Sequence, residues 1–190
     1  MKYFLLYFFA LILFTSCNSK EKEKNLVLSN KWFVAGPVVE SEININVIRK
    51  QDKAVKVTAN DSPTGEIELN IPLVPVDPSK SNEGLPISLS DRSTFIEITY
   101  KSSHLIKLQA REGNEDGTGC VHGGSQPMAD IPPSPTAFST LRIPWSDFRL
   151  NGKPNGKVLD IAKLCKLNFV NYDPVPGAYL EITSVRIENY

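Results

Sequence analysis

Thr94-Phe95-Ile96-Glu97-Ile98-Thr99-Tyr100-Lys101 is the stretch on which the fold turns. Side chains of an extended strand point alternately to opposite faces, so Ile96, Ile98 and Tyr100 share one side and Glu97, Thr99 and Lys101 the other. The next stretch, Leu105-Ile106-Lys107-Leu108-Gln109-Ala110-Arg111, repeats the pattern, with Ile106, Leu108 and Ala110 opposite Lys107, Gln109 and Arg111. Joined by the polar turn Ser102-Ser103-His104, the two read as a hairpin with one core face and one polar face. A merely solvated sheet surface is the plain reading of that polar face.

Outward from this pair, alternating or β-branched runs at 26–28, 32–35, 43–48, 54–58, 67–71, 141–144, 167–171 and 179–188 read as further strands. All 14 prolines and 11 glycines lie beyond residue 16, which leaves little room for long helices. One short helical piece is expected at 160–166, where Asp160 can cap and Ile161, Leu164 and Cys165 can face inward. The proline-rich 126–135 reads as an ordered surface loop. So many short strands between turns imply an all-β sandwich or barrel, with Ile96, Ile98, Ile106 and Leu108 in one core.

The 190 residues suit one domain of ordinary size. Twenty-one Lys and Arg balance 21 Asp and Glu, so no basic surface for tracking nucleic-acid phosphates is expected. At 41% hydrophobic and 22% charged, the composition excludes wholesale disorder.

At the N-terminus, Lys2 precedes an apolar run of 12 residues, 3–14. A membrane-spanning helix needs roughly 17 to 25, so the length is that of a signal peptide. Leu13-Phe14-Thr15-Ser16-Cys17 resembles the lipobox of bacterial lipoproteins, with Phe14 where that family usually has Leu. The resemblance implies cleavage after residue 16 and a diacylglyceryl group on the Cys17 thiol. Acyl chains there would hold the protein to a membrane, since burial contributes about 0.8 kcal/mol per CH₂. The polar, charge-alternating 18–25 would then be a tether, giving a signal peptide at 1–16, a lipidated Cys and tether at 17–25, and a domain at 26–190. The implied address is the bacterial cell envelope, at the outer membrane, on its periplasmic or surface face. With Cys17 lipidated, Cys120 and Cys165 remain, and an oxidising envelope favours pairing them. Two isolated buried thiols are the other reading. No C-x-x-C spacing supports zinc.

Three segments carry a second resemblance: 96–101 with 105–109; Leu141-Arg142-Ile143-Pro144-Trp145-Ser146-Asp147-Phe148; and 159–169 with 179–187. Their order resembles the galactose-binding-like jelly-roll superfamily, particularly carbohydrate-binding modules attached to bacterial polysaccharide-degrading enzymes and the related complex I intermediate-associated type. The resemblance implies a jelly-roll β-sandwich of two antiparallel sheets and covers about residues 94–190. It also implies that a concave sheet binds polysaccharide or oligosaccharide, with polar side chains bonding hydroxyls and an aromatic ring stacking on the sugar. Carried onto this chain, the polar part falls to Glu97, Thr99, Lys107, Gln109 and Arg111. No Trp or Tyr alternates into that face, so the ring falls to Tyr172, with Tyr179 next. Trp32, Trp145 and Phe148 read as core. A structural Ca²⁺ is a further feature of such modules, for which Glu40, Glu42 and Glu188 lie near the chain's ends, although no carboxylate spacing singles them out.

Catalytic patterns do not emerge. Val121-His122-Gly123-Gly124-Ser125 has no G-x-S-x-G elbow to serve, two histidines cannot make a three-His zinc centre, and there is no Walker loop or G-x-G-x-x-G. The sequence thus favours a lipid-anchored protein that binds carbohydrate and is not an enzyme. The alternative is a structural or assembly lipoprotein using a sandwich face or the proline-rich segment to contact an envelope protein.

Overall fold

The computed structural model describes residues 24–29, 31–34, 54–59, 67–74, 87, 89, 92–113, 125–173 and 175–190. Among them the strands are β1 (Phe33–Val34), β2 (Val55–Thr58), β3 (Glu68–Pro72), β4 (Phe95–Ser102), β5 (Ile106–Glu112), β6 (Pro127–Ile131), β7 (Ser134–Pro144), β8 (Arg149–Leu150), β9 (Leu164–Val170) and β10 (Tyr179–Ile187). They form a six-stranded sheet in the order β1-β3-β9-β5-β6-β8 and a four-stranded sheet in the order β2-β10-β4-β7. Each pairing described is antiparallel.

The two sheets stack because each has one apolar face to hide. Leu69, Ile71, Ile106, Leu108, Leu167 and Phe169 of one sheet join Val55, Val57, Ile96, Ile98, Tyr100, Leu180, Ile182 and Val185 of the other in one buried cluster. Burying each such aliphatic side chain contributes about 1.5 to 3 kcal/mol. Trp145 and Phe148 lie in this core with ring centroids 5.3 Å apart, and the Trp145 indole N–H donates to Ser93 Oγ at 3.0 Å. Trp32 packs 5.9 Å from Phe169, also inside. The fold is a jelly-roll β-sandwich whose helical content, among the described residues, is a few single 3-10 turns.

Several expectations are corrected. The hairpin does not form: β4 pairs with β10 and β7, whereas β5 pairs with β9 and β6 in the other sheet. Residues 103–105 therefore carry the chain between sheets, held by the Ser103 N–H donating to the Tyr179 carbonyl at 3.1 Å. Alternation fixes which side of a strand is apolar, and either pairing satisfies it. Segment 26–28 is a 3-10 turn, because Asn25 Oδ1 accepts from both Val27 N and Val185 N at 3.1 Å and bends the chain. Asn25, the last residue of the expected tether, is thereby fixed to the sandwich.

The proline-rich segment is mostly strand. Pro127 opens β6, Pro132 and Pro133 link β6 to β7, and Pro135 sits at the start of β7, which among the described residues is an edge strand. These are the positions at which a missing N–H costs a sheet least. At 160–166 only Ile161–Lys163 is helical, with Asp160 Oδ1 capping Ala162 N at 3.1 Å, and β9 follows at once. The strand expected at 43–48 lies outside the described residues, as do the apolar run 3–14, Cys17 and Cys120. Cys165 is buried and disulfide-bonded.

Candidate functional site

The outer face of the six-stranded sheet is built by the same alternation that fills the core beneath it. Between the inward Leu69 and Ile71, β3 turns Asn70 outward; between Leu167 and Phe169, β9 turns out Asn168; between Leu108 and Ala110, β5 turns out Gln109. Register brings the three side by side, Asn70 opposite Asn168 and Asn168 opposite Gln109, with Met128 of β6 next in line. The amides are almost wholly buried, at 0%, 2% and 4% exposure respectively.

Their hydrogen bonds run in one direction. Asn168 Nδ2 donates to Gln109 Oε1 at 3.3 Å, and Gln109 Nε2 donates to the Tyr172 hydroxyl. Asn70 Nδ2 donates to Glu68 Oε1 at 3.5 Å. The carbonyl oxygens Asn70 Oδ1 and Asn168 Oδ1 are buried and, among the described residues, accept no hydrogen bond. A buried amide oxygen without a hydrogen bond costs about 1 to 3 kcal/mol.

Tyr172 brings the aromatic surface. The following side of β9 is pinned by Asn171, whose Oδ1 accepts from Ile67 N at 2.7 Å and whose Nδ2 donates to the Asp173 carbonyl at 3.3 Å. Asn171 is buried, and Tyr172 beside it is 54% exposed. Charged groups flank the amides: Lys107 Nζ lies 2.5 Å from Asp130 Oδ1, and Arg111 is registered opposite Lys166, whose Nζ lies 5.6 Å from the Phe33 ring centre.

Of the residues expected to share one ligand face, Lys107, Gln109, Arg111 and Tyr172 are on this side. Glu97 and Thr99 are not. They lie on the outer face of the four-stranded sheet, because β4 belongs to that sheet. There Arg142 donates to Glu97 Oε2 at 2.9 Å and stacks 4.1 Å from the Phe95 ring centre, while Thr99 and Thr140 hydroxyls bond at 3.0 Å. Lys101 sits 4.5 Å over Phe138 and Lys56 lies 3.9 Å from Glu181. Tyr179 belongs here too, its ring 5.8 Å from Lys56 Nζ and its hydroxyl donating to the Pro135 carbonyl at 2.6 Å.

Asn70 and Asn168 were absent from the sequence-derived set. Their signal is the one polar position between two apolar ones, in Leu69-Asn70-Ile71 and Leu167-Asn168-Phe169. Glu188 holds the start of β4, accepting from Thr94 N and Thr94 Oγ1 at 2.7 Å each. The Thr94 hydroxyl first, and its backbone N–H second, hold the Glu188 carboxyl below its usual range. Glu40, Glu42 and His122 lie outside the described residues. Among the described residues no three His, Cys, Asp or Glu side chains cluster as metal ligands.

No family model matches the sequence, and no curated protein matches it. Solved structures do show similar folds. A family 11 carbohydrate-binding module from Clostridium thermocellum, in complex with a β-1,3-1,4-mixed-linked tetrasaccharide, is 16% identical over 84% of this chain and 89% of its own, with a TM-score of 0.48. A family 30 carbohydrate-binding module of a Clostridium thermocellum cellulosomal cellulase is 12% identical over 84% of this chain and 83% of its own, with a TM-score of 0.46. An exo-β-agarase is 13% identical over 72% of this chain but only 20% of its own, with a TM-score of 0.47.

Proposed function

We propose that the chain is a non-catalytic carbohydrate-binding lipoprotein of the bacterial envelope, with its ligand on the outer face of the six-stranded sheet. The observation that carries this reading is the buried pair of open acceptors, Asn70 Oδ1 and Asn168 Oδ1, in one amide row with Gln109 beside the exposed Tyr172. Sugar hydroxyls donate to amide oxygens and accept from amide N–H groups, and a C–H-rich sugar face lies flat on a phenol ring. The acceptors fix orientation and the ring adds apolar contact, as in most small-ligand sites. Lys107 and Arg111 stand at the margin, where they can bond hydroxyls that reach past the amides.

The N-terminal part of the proposal rests on Leu13-Phe14-Thr15-Ser16-Cys17, with Cys17 as the lipidated residue and the outer membrane as its destination. Cys120 is then the partner of Cys165, in keeping with an oxidising compartment. The test is a screen of the purified protein against plant, algal and host polysaccharides, with and without Ca²⁺. Binding to at least one glycan class is expected. No binding across the panel would sink the carbohydrate reading. In cells, Cys17→Ser should release the protein from membranes, and its full retention in high salt would overturn the anchor.

A further inference from the structure

The amide row does not stop at Asn70. The next strand outward is β1, whose Phe33 is registered opposite Asn70 on the same outer face. The preceding residue, Trp32, is buried against Phe169, so alternation turns the Phe33 ring outwards, where it is half-buried. The row therefore runs Phe33, Asn70, Asn168, Gln109 across β1, β3, β9 and β5, and Tyr172 closes it by accepting from Gln109 Nε2. An aromatic ring stands at each end, and the buried amides lie between.

Two observations set Phe33 apart from the outward phenylalanines of the other sheet. Cations lie close over those rings, Arg142 at 4.1 Å from the centre of Phe95 and Lys101 at 4.5 Å from that of Phe138. Lys166 Nζ stays 5.6 Å from the centre of Phe33, near the outer limit of a cation–π contact. Beside Phe33 lies Asn70 Oδ1, buried and, among the described residues, without a hydrogen bond. Ring and acceptor together offer what a sugar uses, an apolar plane for its C–H face and an oxygen for one of its hydroxyls.

We propose that Phe33 is a second stacking ring of the glycan site, and that the site takes a run of several sugars lying across the strands from Phe33 to Tyr172. This rests on the carbohydrate reading of the face and adds its extent and direction. Three strand-to-strand steps separate the positions of Phe33 and Gln109, about 14 Å at roughly 4.8 Å per step, which is more than one sugar ring can cover. The ligand is thus an extended stretch of a polysaccharide or a long oligosaccharide, not a monosaccharide. Each ring adds apolar contact, while the acceptors between them fix how the sugar chain is turned.

The test uses the full chain and the polysaccharides of the screen, each cut into oligosaccharides of graded length from a single sugar upwards, with affinities read by calorimetric titration. Those long enough to meet both rings should bind about tenfold more tightly than those that meet one. Phe33→Leu keeps an apolar side chain but no ring, and should bind long and short oligosaccharides alike. Phe33→Trp should keep the gain with length. A purely packing role for Phe33 would lower stability in the Leu variant without altering that gain. Should Phe33→Leu fail to fold, NMR of the unaltered chain decides, since the Phe33 ring protons should shift when a long oligosaccharide is added. Affinity that does not rise with length, a gain that survives Phe33→Leu, or unmoved ring protons would overturn this proposal and leave the carbohydrate reading in place. Absence of binding by every member of every set would instead overturn that reading, and this inference with it.

Discussion

The two outer faces of the sandwich come from the same alternation and from similar residue types, yet they end in opposite states. On the four-stranded sheet several polar groups find partners at the surface: Glu97 with Arg142, Thr99 with Thr140, Lys56 with Glu181. On the six-stranded sheet Asn70, Asn168 and Gln109 are buried, and among the described residues two of their oxygens have no hydrogen bond. A face closed on itself in solvent contributes little beyond solubility, because exposed pairs are worth about 0 to 1 kcal/mol. A buried face with open acceptors carries a cost that a ligand can repay. The proposed site thus rests on polarity combined with burial and incomplete bonding, which the other face does not show.

The largest effect should fall on what the two faces share. Leu108→Ala removes a fully buried side chain under the amide row and should cost about 2 to 5 kcal/mol of stability, read by denaturant unfolding through Trp32 and Trp145. Both faces should be lost in a single transition. Separate transitions for the two sheets would break the description of one core.

Next comes the direct contrast. Gln109→Ala should weaken binding of whichever glycan the screen returns by about 1 to 3 kcal/mol, because Asn168 and Tyr172 lose a shared partner. Glu97→Ala removes the bond to the exposed Arg142 and should cost less than about 1 kcal/mol of stability while leaving glycan affinity unchanged. Calorimetric titration of both variants decides. Equal losses of affinity would return the site to the undivided set inferred from sequence.

The smallest expected effect concerns acid. Because the folded state holds the Glu188 carboxyl below its unfolded range, its stabilising contribution is present above the unfolded pKa and fades as pH falls through the folded one. Thr94→Val removes the hydroxyl that contributes most, so the Glu188 titration, followed by NMR, should move up towards the ordinary carboxylate range. An unmoved titration would mean that the backbone N–H of Thr94 suffices.

Much of this architecture was legible in the chain. The inward residues Ile96, Ile98, Tyr100, Ile106, Leu108 and Ala110, the core places of Trp145 and Phe148, and the capping role of Asp160 follow from period-2 alternation and local chemistry. Gln109 and Tyr172 were named from the chain as well, and the fold sets them in contact. Less legible were the strands within 127–144, because proline reads as a breaker until one knows that the strand lies at an edge or the proline at its start.

What the sequence determined by itself is therefore which side of each strand is apolar, and hence that two sheets must stack. Only the tertiary structure decided which strands are neighbours: that β4 and β5, three residues apart in the chain, lie in different sheets, and that Asn70 and Asn168, 98 residues apart, lie side by side. The physical reason is that side-chain alternation is a property of one strand, fixed by its own backbone, whereas pairing is chosen by the packing of the whole core. Every antiparallel partner offers the same backbone hydrogen bonds, and only the shape of the buried cluster distinguishes among them.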